Sequence, residues 1–212
     1  MEFIKRLPAQ PAPTPQQLLP LLGILSAGSP MSKGLQQFIA GHLLPCRISK
    51  GKTLLKPGEI CTHIFFIRSG ALRGFLKDGN SDITTWITTE NEMAAAISSF
   101  VFQAPAIEYV QAIEDCELLA LSHTDLEKIY ARFPSFNVTA RKIYEQYYAD
   151  AENRALITRL KNADLKYHHF LEKHSHLANR IPVKFIASYL GIASETLSRL
   201  RSKKASAKRK TQ

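Results

Sequence analysis

The residues best suited to bind another molecule lie in one short polar segment, SETLSRLRSKK, at residues 194–204. Glu195 and Arg199 are four positions apart, so a helix would present both side chains on one face. An arginine can donate two hydrogen bonds to the O6 and N7 atoms of guanine, and a glutamate can accept one from the N4 amine of cytosine. We therefore predict that Glu195 and Arg199 contact DNA bases and that Ser198 contacts a thymine or a phosphate.

Polar and basic neighbours complete this predicted interface. Ser194 is predicted to cap the helix, and Thr196 shares an exposed stripe with Arg199. Basic side chains around the helix would neutralise phosphates, which adds affinity and salt dependence but no sequence information. These side chains are Lys184, Arg201, Lys203 and Lys204, with Lys208, Arg209 and Lys210 in the tail.

The distribution of charge favours the same partner. The chain has 212 residues and a formal net charge of +10. Residues 1–150 contain 14 Lys and Arg against 14 Asp and Glu, whereas the remaining 62 residues contain 14 against 4. We predict double-stranded DNA as the partner of this basic end. An anionic membrane surface and a solvated basic tail without a partner are the alternatives.

Two short amphipathic helices around Gly191 are predicted to hold the interface. The first helix begins at Pro182, and Gly191 would end it. Leu197 and Leu200 would face inward from the second helix. The apolar face of the first helix is formed by Phe185, Ile186, Tyr189 and Leu190. Two such helices joined by a glycine turn form a helix-turn-helix motif.

A long helix is predicted before this motif, beginning at Pro134. It covers about 27 residues, or about 40 Å at 1.5 Å per residue. Small and apolar residues recur along it at spacings of three and four, namely Ala140, Ile143, Tyr147, Ala151 and Ala155. Because alanines allow close approach, we predict that this stripe packs against the same helix of a second copy. The alternative is that the stripe packs on the rest of its own chain.

Between Cys46 and Leu121 the apolar residues recur with a period of two. Short β-rich runs such as HIFFIRSG and DITTWIT alternate with glycine-bearing turns, and Gly79 is predicted to lie in a hairpin turn. This pattern predicts an antiparallel β-roll or barrel. Residues 1–30 are rich in proline and predict an extended arm with a short helix capped by Thr14, with Pro15 in its first turn.

This order of elements resembles the Crp/Fnr transcription regulators, relatives of the cyclic-AMP receptor protein. The resemblance spans roughly Leu35 to Lys204, and its most specific part is the E-x-x-S-R pattern at Glu195, Ser198 and Arg199. The run KPGEICTHIFFIRSGALRGFL is also similar to the glycine-marked strands of the family.

The resemblance implies an α+β fold with four parts. These are a Pro-rich arm at 1–30, an antiparallel β-roll of the cyclic-nucleotide-binding type (a double-stranded β-helix) at 31–133, a dimerisation helix at 134–163, and a winged-type helix-turn-helix domain with a basic tail at 164–212. It also implies a homodimer in which each helix-turn-helix meets half of a near-palindromic operator, TTGA-like or TGTGA-like. RNA polymerase is a further candidate partner.

The chain departs from the family at the ligand site. Cyclic-nucleotide binders have a Gly-Glu pair for the ribose and, some ten residues later, an arginine for the phosphate. The corresponding places here are Ala94 to Ser98 and the neighbourhood of Ala106, and residues 80–127 contain no Lys or Arg. A buried phosphodiester needs a paired cation. We therefore predict no response to cyclic AMP, unless Arg68 or Arg73 supplies the charge; a neutral or apolar effector, or none, is the alternative.

Other kinds of site are disfavoured. Cys46, Cys61 and Cys116 are predicted to be ordinary reduced thiols, and no cysteine precedes them to form an iron–sulfur cluster. The histidines in HHFLEKHSH, at residues 168–176, have no acidic or cysteine companion at ligand spacing in this interpretation, so we predict no metal or cofactor.

Catalysis is not predicted, because the β region contains no H-x-H pair and no G-x-S-x-G motif. No apolar run approaches the roughly 20 residues of a membrane helix, so we expect a cytoplasmic protein without a membrane partner. The alternative function is a roll that docks another protein, with a basic end that binds nucleic acid non-specifically.

Overall fold

The computed structural model describes residues 11–209, with side chains as far as Lys204. Within these limits the chain divides into two compact units. The first contains residues 11–76 and 86–146, and the second contains residues 77–85 and 147–209.

The first unit opens with helix α1 (Pro15–Gly28). The Thr14 side chain accepts a hydrogen bond from the Gln17 backbone N–H, and Pro15 is the first helical residue, as predicted. The helix has 14 residues rather than one or two turns, and its leucines at 18, 21 and 25 are buried in the core of the unit. Residues 15–28 are therefore part of the folded unit rather than an extended arm.

Helix α2 (Lys33–His42) leads into eight strands that form two four-stranded sheets. The strands are β1 (Leu44–Ile48), β2 (Thr53–Leu55), β3 (His63–Ser69), β4 (Leu72–Asp78), β5 (Ser81–Thr88), β6 (Met93–Ala94), β7 (Tyr109–Ala112) and β8 (Cys116–Ser122). The sheet orders are β1-β8-β3-β6 and β2-β7-β4-β5, and the registered pairs are antiparallel. This is the predicted roll, and the α+β fold class is confirmed.

The core of the roll follows from the period-two pattern of its strands. Phe65 and Ile67 of β3 pair in register with Ala120 and Leu118 of β8, and all four side chains are buried. The three cysteines are buried and unpaired, as predicted. Burial raises the pKa of the Cys46 thiol to about 12, so at neutral pH this thiol is protonated and behaves as a small apolar group.

Three short elements of the roll are absent from the sequence-based prediction. They are β1, β6 and helix α3 (Ile97–Phe102). Strand β6 has only two residues, and α3 has no side-chain cap. Both are held by neighbouring elements, with β6 paired to β3, so neither has a sequence signal of its own.

Two further helices follow β8. The first, α4 (His123–Arg132), is capped by Ser122 as predicted. The second is the long helix α5 (Phe136–Arg159), which has 24 residues and begins two residues after Pro134. Its first turns pack on the roll, because the Thr139 hydroxyl donates to the Leu25 carbonyl at 3.2 Å and a methyl group on Gly28 would lie 2.8 Å from the Thr139 Cα.

The second unit is built from the end of α5 and three more helices, α6 (Ala163–His174), α7 (Val183–Leu190) and α8 (Ser194–Arg209), with a 3₁₀ turn at Ser175–Leu177. Its small core contains Tyr167, Phe170, Leu177, Ile181, Ile186, Ala187, Leu190 and Leu197. The described residues 147–209 form helices and turns only, so the β wing of the predicted winged-type domain does not accompany α7 and α8.

In the described part of the chain, no helix has both the length and the apolar character needed to cross a membrane.

Candidate nucleic-acid interface

The turn between α7 and α8 has a well-defined hydrogen-bonded geometry. Gly191 has a left-handed backbone conformation with φ 61°, which a glycine adopts without strain. Its N–H donates to the Ser188 carbonyl, and the N–H of Ile192 donates to the Ala187 carbonyl. These two bonds form a Schellman motif, which ends α7 where the glycine predicted it.

A lysine from α6 completes this turn. The Lys166 ammonium donates to the Leu190 carbonyl at 2.9 Å and to the Gly191 carbonyl at 3.4 Å. The side chain is only 6% exposed. A cation at the carboxyl end of a helix interacts favourably with the helix dipole. Sequence reasoning missed Lys166, because a single lysine in a basic region has no pattern that marks it as buried.

Helix α8 begins one residue differently from the prediction. The Ala193 carbonyl accepts the bond from the Leu197 N–H, so Ala193 occupies the cap position and Ser194 is already helical. The predicted capping role of Ser194 is therefore wrong. Leu197 is fully buried, as predicted, and anchors the first turns of α8 to the core of the unit.

The predicted base-reading residues lie on the opposite side of α8 from Leu197. The side chains of Glu195, Ser198 and Arg199 are exposed, whereas Thr196 is half-buried. No residue whose side chain is described forms a hydrogen bond or ion pair with the Arg199 guanidinium. Its five N–H groups are therefore available to an external acceptor.

The flanking basic residues differ in how firmly they are held. Lys184 and Lys203 are exposed, and the Lys184 ammonium lies 5.0 Å from the centre of the Phe185 ring. Arg201 is half-buried and donates to the Asn179 side-chain oxygen at 2.9 Å. Lys204 lies over Tyr167 at 5.4 Å. The predicted tail contacts at Lys208, Arg209 and Lys210 concern side chains outside the described part of the chain.

One side chain of α7 bonds to the tip of the β4–β5 hairpin, which belongs to the same unit. The Ser188 hydroxyl accepts a hydrogen bond from the Thr84 N–H at 2.8 Å and donates one to the Asp82 carbonyl at 2.7 Å. The hydroxyl thus bonds to two backbone groups of β5 that a neighbouring strand could otherwise pair with. Gly79, with φ 57°, lies in the turn of this hairpin, as predicted.

The histidine-rich segment includes a carboxylate that the sequence analysis overlooked. His168 and His169 both contact Glu172, at 3.3 Å and 3.0 Å, on the exposed side of α6. Two imidazoles and one carboxylate on consecutive turns resemble part of a metal site. No group of three or more possible ligands with metal-binding geometry occurs among the described residues, however.

Inside the roll, the space beside Gly74 is taken by the only tryptophan of the chain. The Trp86 indole N–H donates to a Glu108 carboxylate oxygen at 3.0 Å, and the indole packs against the core. A methyl group on Gly74 would overlap the indole and lie 2.6 Å from that carboxylate. The absence of a side chain at Gly74 thus makes room for the Trp86–Glu108 pair.

Comparisons with known proteins fit both parts of the chain. Residues 45–133 match the family model described as the cyclic nucleotide-binding domain. The transcriptional activator protein FnrA of Stutzerimonas stutzeri is 27% identical over 165 residues, which cover 72% of this chain and 67% of that protein. Both matches agree with the predicted resemblance to the Crp/Fnr transcription regulators.

Solved structures of other proteins share the fold. FixK2 from Bradyrhizobium japonicum has a TM-score of 0.67 and 18% identity, and the match covers 78% of this chain and 85% of that one. A CooA mutant from Carboxydothermus hydrogenoformans has a TM-score of 0.64 and 20% identity, covering 93% of this chain and 85% of that one.

In this chain, the places expected to bind a cyclic nucleotide are apolar. Ala94, Ala95 and Ala96 are buried in the core of the roll where the Gly-Glu pair is expected, and Ala106 is 5% exposed where the arginine is expected. These positions therefore contribute no charged or hydrogen-bonding side chain to the interior.

The two arginines that could replace the missing cation have other partners. Arg68 forms an ion pair with Glu117 at 3.0 Å, and Arg47 contacts the other oxygen of the same carboxylate. Arg73 is buried and donates to the Gln111 side-chain oxygen at 2.9 Å. Arg73 follows Leu72 in β4, and successive side chains of a strand point to opposite faces. Because Leu72 is in the core, Arg73 faces away from the interior of the roll.

Proposed function

We propose that this chain is a Crp/Fnr-type transcription regulator that binds double-stranded DNA in a sequence-specific manner through α8. The observation that carries the proposal is the arrangement of this helix. Leu197 is fully buried beneath it, while Arg199 and Glu195, on adjacent turns, are exposed and point away from the core. A helix supported in this way can enter the major groove with its polar face toward the bases.

Base reading and backbone binding are divided between different residues. Arg199 donates to guanine O6 and N7, Glu195 accepts from a cytosine amine, and Ser198 contacts a thymine or phosphate. Exposed Lys184 and Lys203 bind phosphates. Arg201 also binds a phosphate, through the N–H groups that do not donate to Asn179. Ser194 and Thr196, near the start of the helix, contact the backbone beside the bases.

The active form is proposed to be a homodimer joined through α5. The part of α5 beyond the roll has exposed apolar side chains, with Tyr148 at 74% and Leu156 at 57% exposure, and Ala151 and Ala155 are also exposed. Exposed apolar residues recurring on one helix are typical of an interface. Two copies would bind half-sites separated by one helical turn, about 34 Å.

The proposal includes an absence of response to cyclic AMP. The partly buried Glu108 carboxylate and Trp86 indole lie beside Gly74, and the expected nucleotide contacts are replaced by alanines. A phosphodiester placed there would meet a carboxylate and no described cation. Cyclic AMP is therefore expected to leave the fluorescence of Trp86 unchanged in a titration; a saturable change would contradict this part of the proposal.

The function is tested by selecting bound sequences from a random DNA library and then measuring affinity for the selected operator. Arg199→Ala is expected to weaken binding by about 1–3 kcal/mol and to relax the preference at one base pair of each half-site. Lys203→Ala, one turn further along, is the matched control and should weaken all sequences alike. Equal weakening of all sequences by Arg199→Ala would show that base reading is not its role.

A roll that docks another protein is the second candidate function, and one observation favours it. Phe102 and Ile107 are 77% and 78% exposed on the roll. Under this function the basic end would bind DNA without sequence preference, so the library selection separates the two candidates. FnrA, the relative named above, is described as a transcriptional activator, which supports the prediction that the chain is not an enzyme.

A further inference from the structure

The buried ammonium of Lys166 lies where α6 meets the end of α7 and the turn that leads to α8. Of the lysines in the described part of the chain, only Lys166 is buried. It belongs to α6, it bonds to the last carbonyl of α7, and its second bond reaches the Gly191 carbonyl, three residues before α8 begins. Its position therefore ties α6 to the turn that sets the direction of α8.

The hydrogen bonds of the turn account for this placement. A helix leaves its last four carbonyls without helical partners. The Schellman bonds satisfy Ala187 and Ser188, but in the described chain no backbone N–H donates to the Leu190 or Gly191 carbonyl. Lys166 supplies both of the missing donors. Without it, the carbonyl of the buried Leu190 and the carbonyl of Gly191 would lose these partners, which favours a different conformation of the turn.

We propose that Lys166 is a positioning residue for the DNA-reading helix, a role that rests on the proposed function. Its ammonium holds the α7–α8 turn in the one conformation that directs Arg199 and Glu195 outward, and it does not bind DNA.

The salt dependence of DNA binding distinguishes this role from a phosphate contact. Each phosphate contact contributes about 0.9 to the slope of log K against log salt concentration. Lys166→Met keeps the apolar stem and removes the ammonium. It is expected to weaken operator binding about tenfold, while the salt slope and the affinity for random DNA stay at the wild-type values. Lys184→Met is the matched control, because the exposed Lys184 should lower the slope by about 0.9.

A conservative variant separates positioning from a general loss of structure. Lys166→Arg retains a donor for the carbonyls and is expected to restore most of the operator affinity. Circular dichroism of the full chain checks that each variant is folded. If Lys166→Met does not fold, Lys166→Gln, whose side chain is shorter than that of lysine and carries no charge, is measured in the same way and should lose operator affinity without a change of slope.

Two results would overturn the inference. One is a lower salt slope in the Lys166 variant, which would mean that the ammonium contacts a phosphate. The other is an equal loss of affinity for operator and random DNA. Failure of the underlying function has a separate signature, since wild-type protein would then show no preference for any selected operator over random DNA.

Discussion

The roll and the helical unit differ in where their polar side chains find hydrogen-bond partners. In the roll, buried and partly buried polar side chains are paired with one another, as Trp86 is with Glu108 and Arg73 with Gln111. In the helical unit, the buried lysine binds the backbone of a turn, and the polar side chains of α8 are left exposed. The roll therefore has few free donors that could bind an anion, because its polar groups bond to one another. The helical unit presents the exposed donors of α8 to an anion.

The largest expected effect tests whether α8 depends on its own small core. Leu197→Ala should destabilise the helical unit by about 2–5 kcal/mol, because the leucine is fully buried and a cavity would remain. Leu165→Ala, at a position 46% exposed, is the control and should change stability by less than about 0.5 kcal/mol. Urea unfolding followed by circular dichroism measures both.

The same experiment separates the two regions, because the only tryptophan lies in the roll. In the Leu197→Ala variant, the fluorescence transition of Trp86 should remain at the wild-type midpoint while the helical signal is lost earlier. A shift of both signals together would mean that the two regions unfold as one.

An intermediate effect is expected in the interior of the roll. Gly74→Ala places a methyl group where the indole lies, so it should destabilise the roll by about 1–3 kcal/mol and shift the emission of Trp86 to longer wavelength. Gly23→Ala in α1 is the matched control, since no atom lies within 4 Å of the added group. It should stabilise the helix by about 0.5–1 kcal/mol. An unchanged Trp86 emission in Gly74→Ala would contradict the packing described.

The smallest expected effect is a dependence of the stability of the helical unit on pH. Burial and the neighbouring positive charges of Lys173 and His176 lower the pKa of His174. Arg154 also lowers this pKa, and Asp150 opposes the shift. The folded state therefore binds fewer protons than the unfolded state, whose histidine titrates near pH 6.5. The stability from neutral His174 is present above about pH 6.5 and decreases as the pH falls below it.

Replacing this histidine checks the sign of the effect. His174→Phe keeps an aromatic ring beside Phe170 and removes the titrating group. The loss of stability between about pH 6.5 and 5, measured by urea unfolding, should become shallower in the variant. An unchanged slope would assign the pH dependence to other groups.

The sequence predicted elements that have a strong periodic pattern or an end signal of their own. Ser122 and Thr14 mark helix starts that the structure confirms, and Gly191 marks a helix end. The sequence predicts the start of α8 one residue too late, because Ser194 is a good capping residue. In the structure the turn places Ala193 at the cap position. The hydrogen bonds from the Gly191 and Ile192 N–H groups to carbonyls of α7 outweigh the capping preference of serine here.

The roles of Lys166, Glu108 and Ser188 could not be predicted from the sequence. Each depends on a partner far along the chain, with Lys166 bonded 24 residues away and Ser188 bonded 104 residues away. A polar residue that is buried by distant contacts has the same composition and local pattern as one in solvent. The role of such a residue can be assigned only from the folded structure, in which its partner lies beside it.

The bond between Ser188 and the β4–β5 hairpin has a consequence for solubility. β5 lies at the end of its sheet, and the outer backbone groups of such a strand can pair with another chain. The Ser188 hydroxyl covers the Asp82 carbonyl and the Thr84 N–H. A protein shortened to the roll alone would leave both groups open, and its molecules would be prone to join strand to strand.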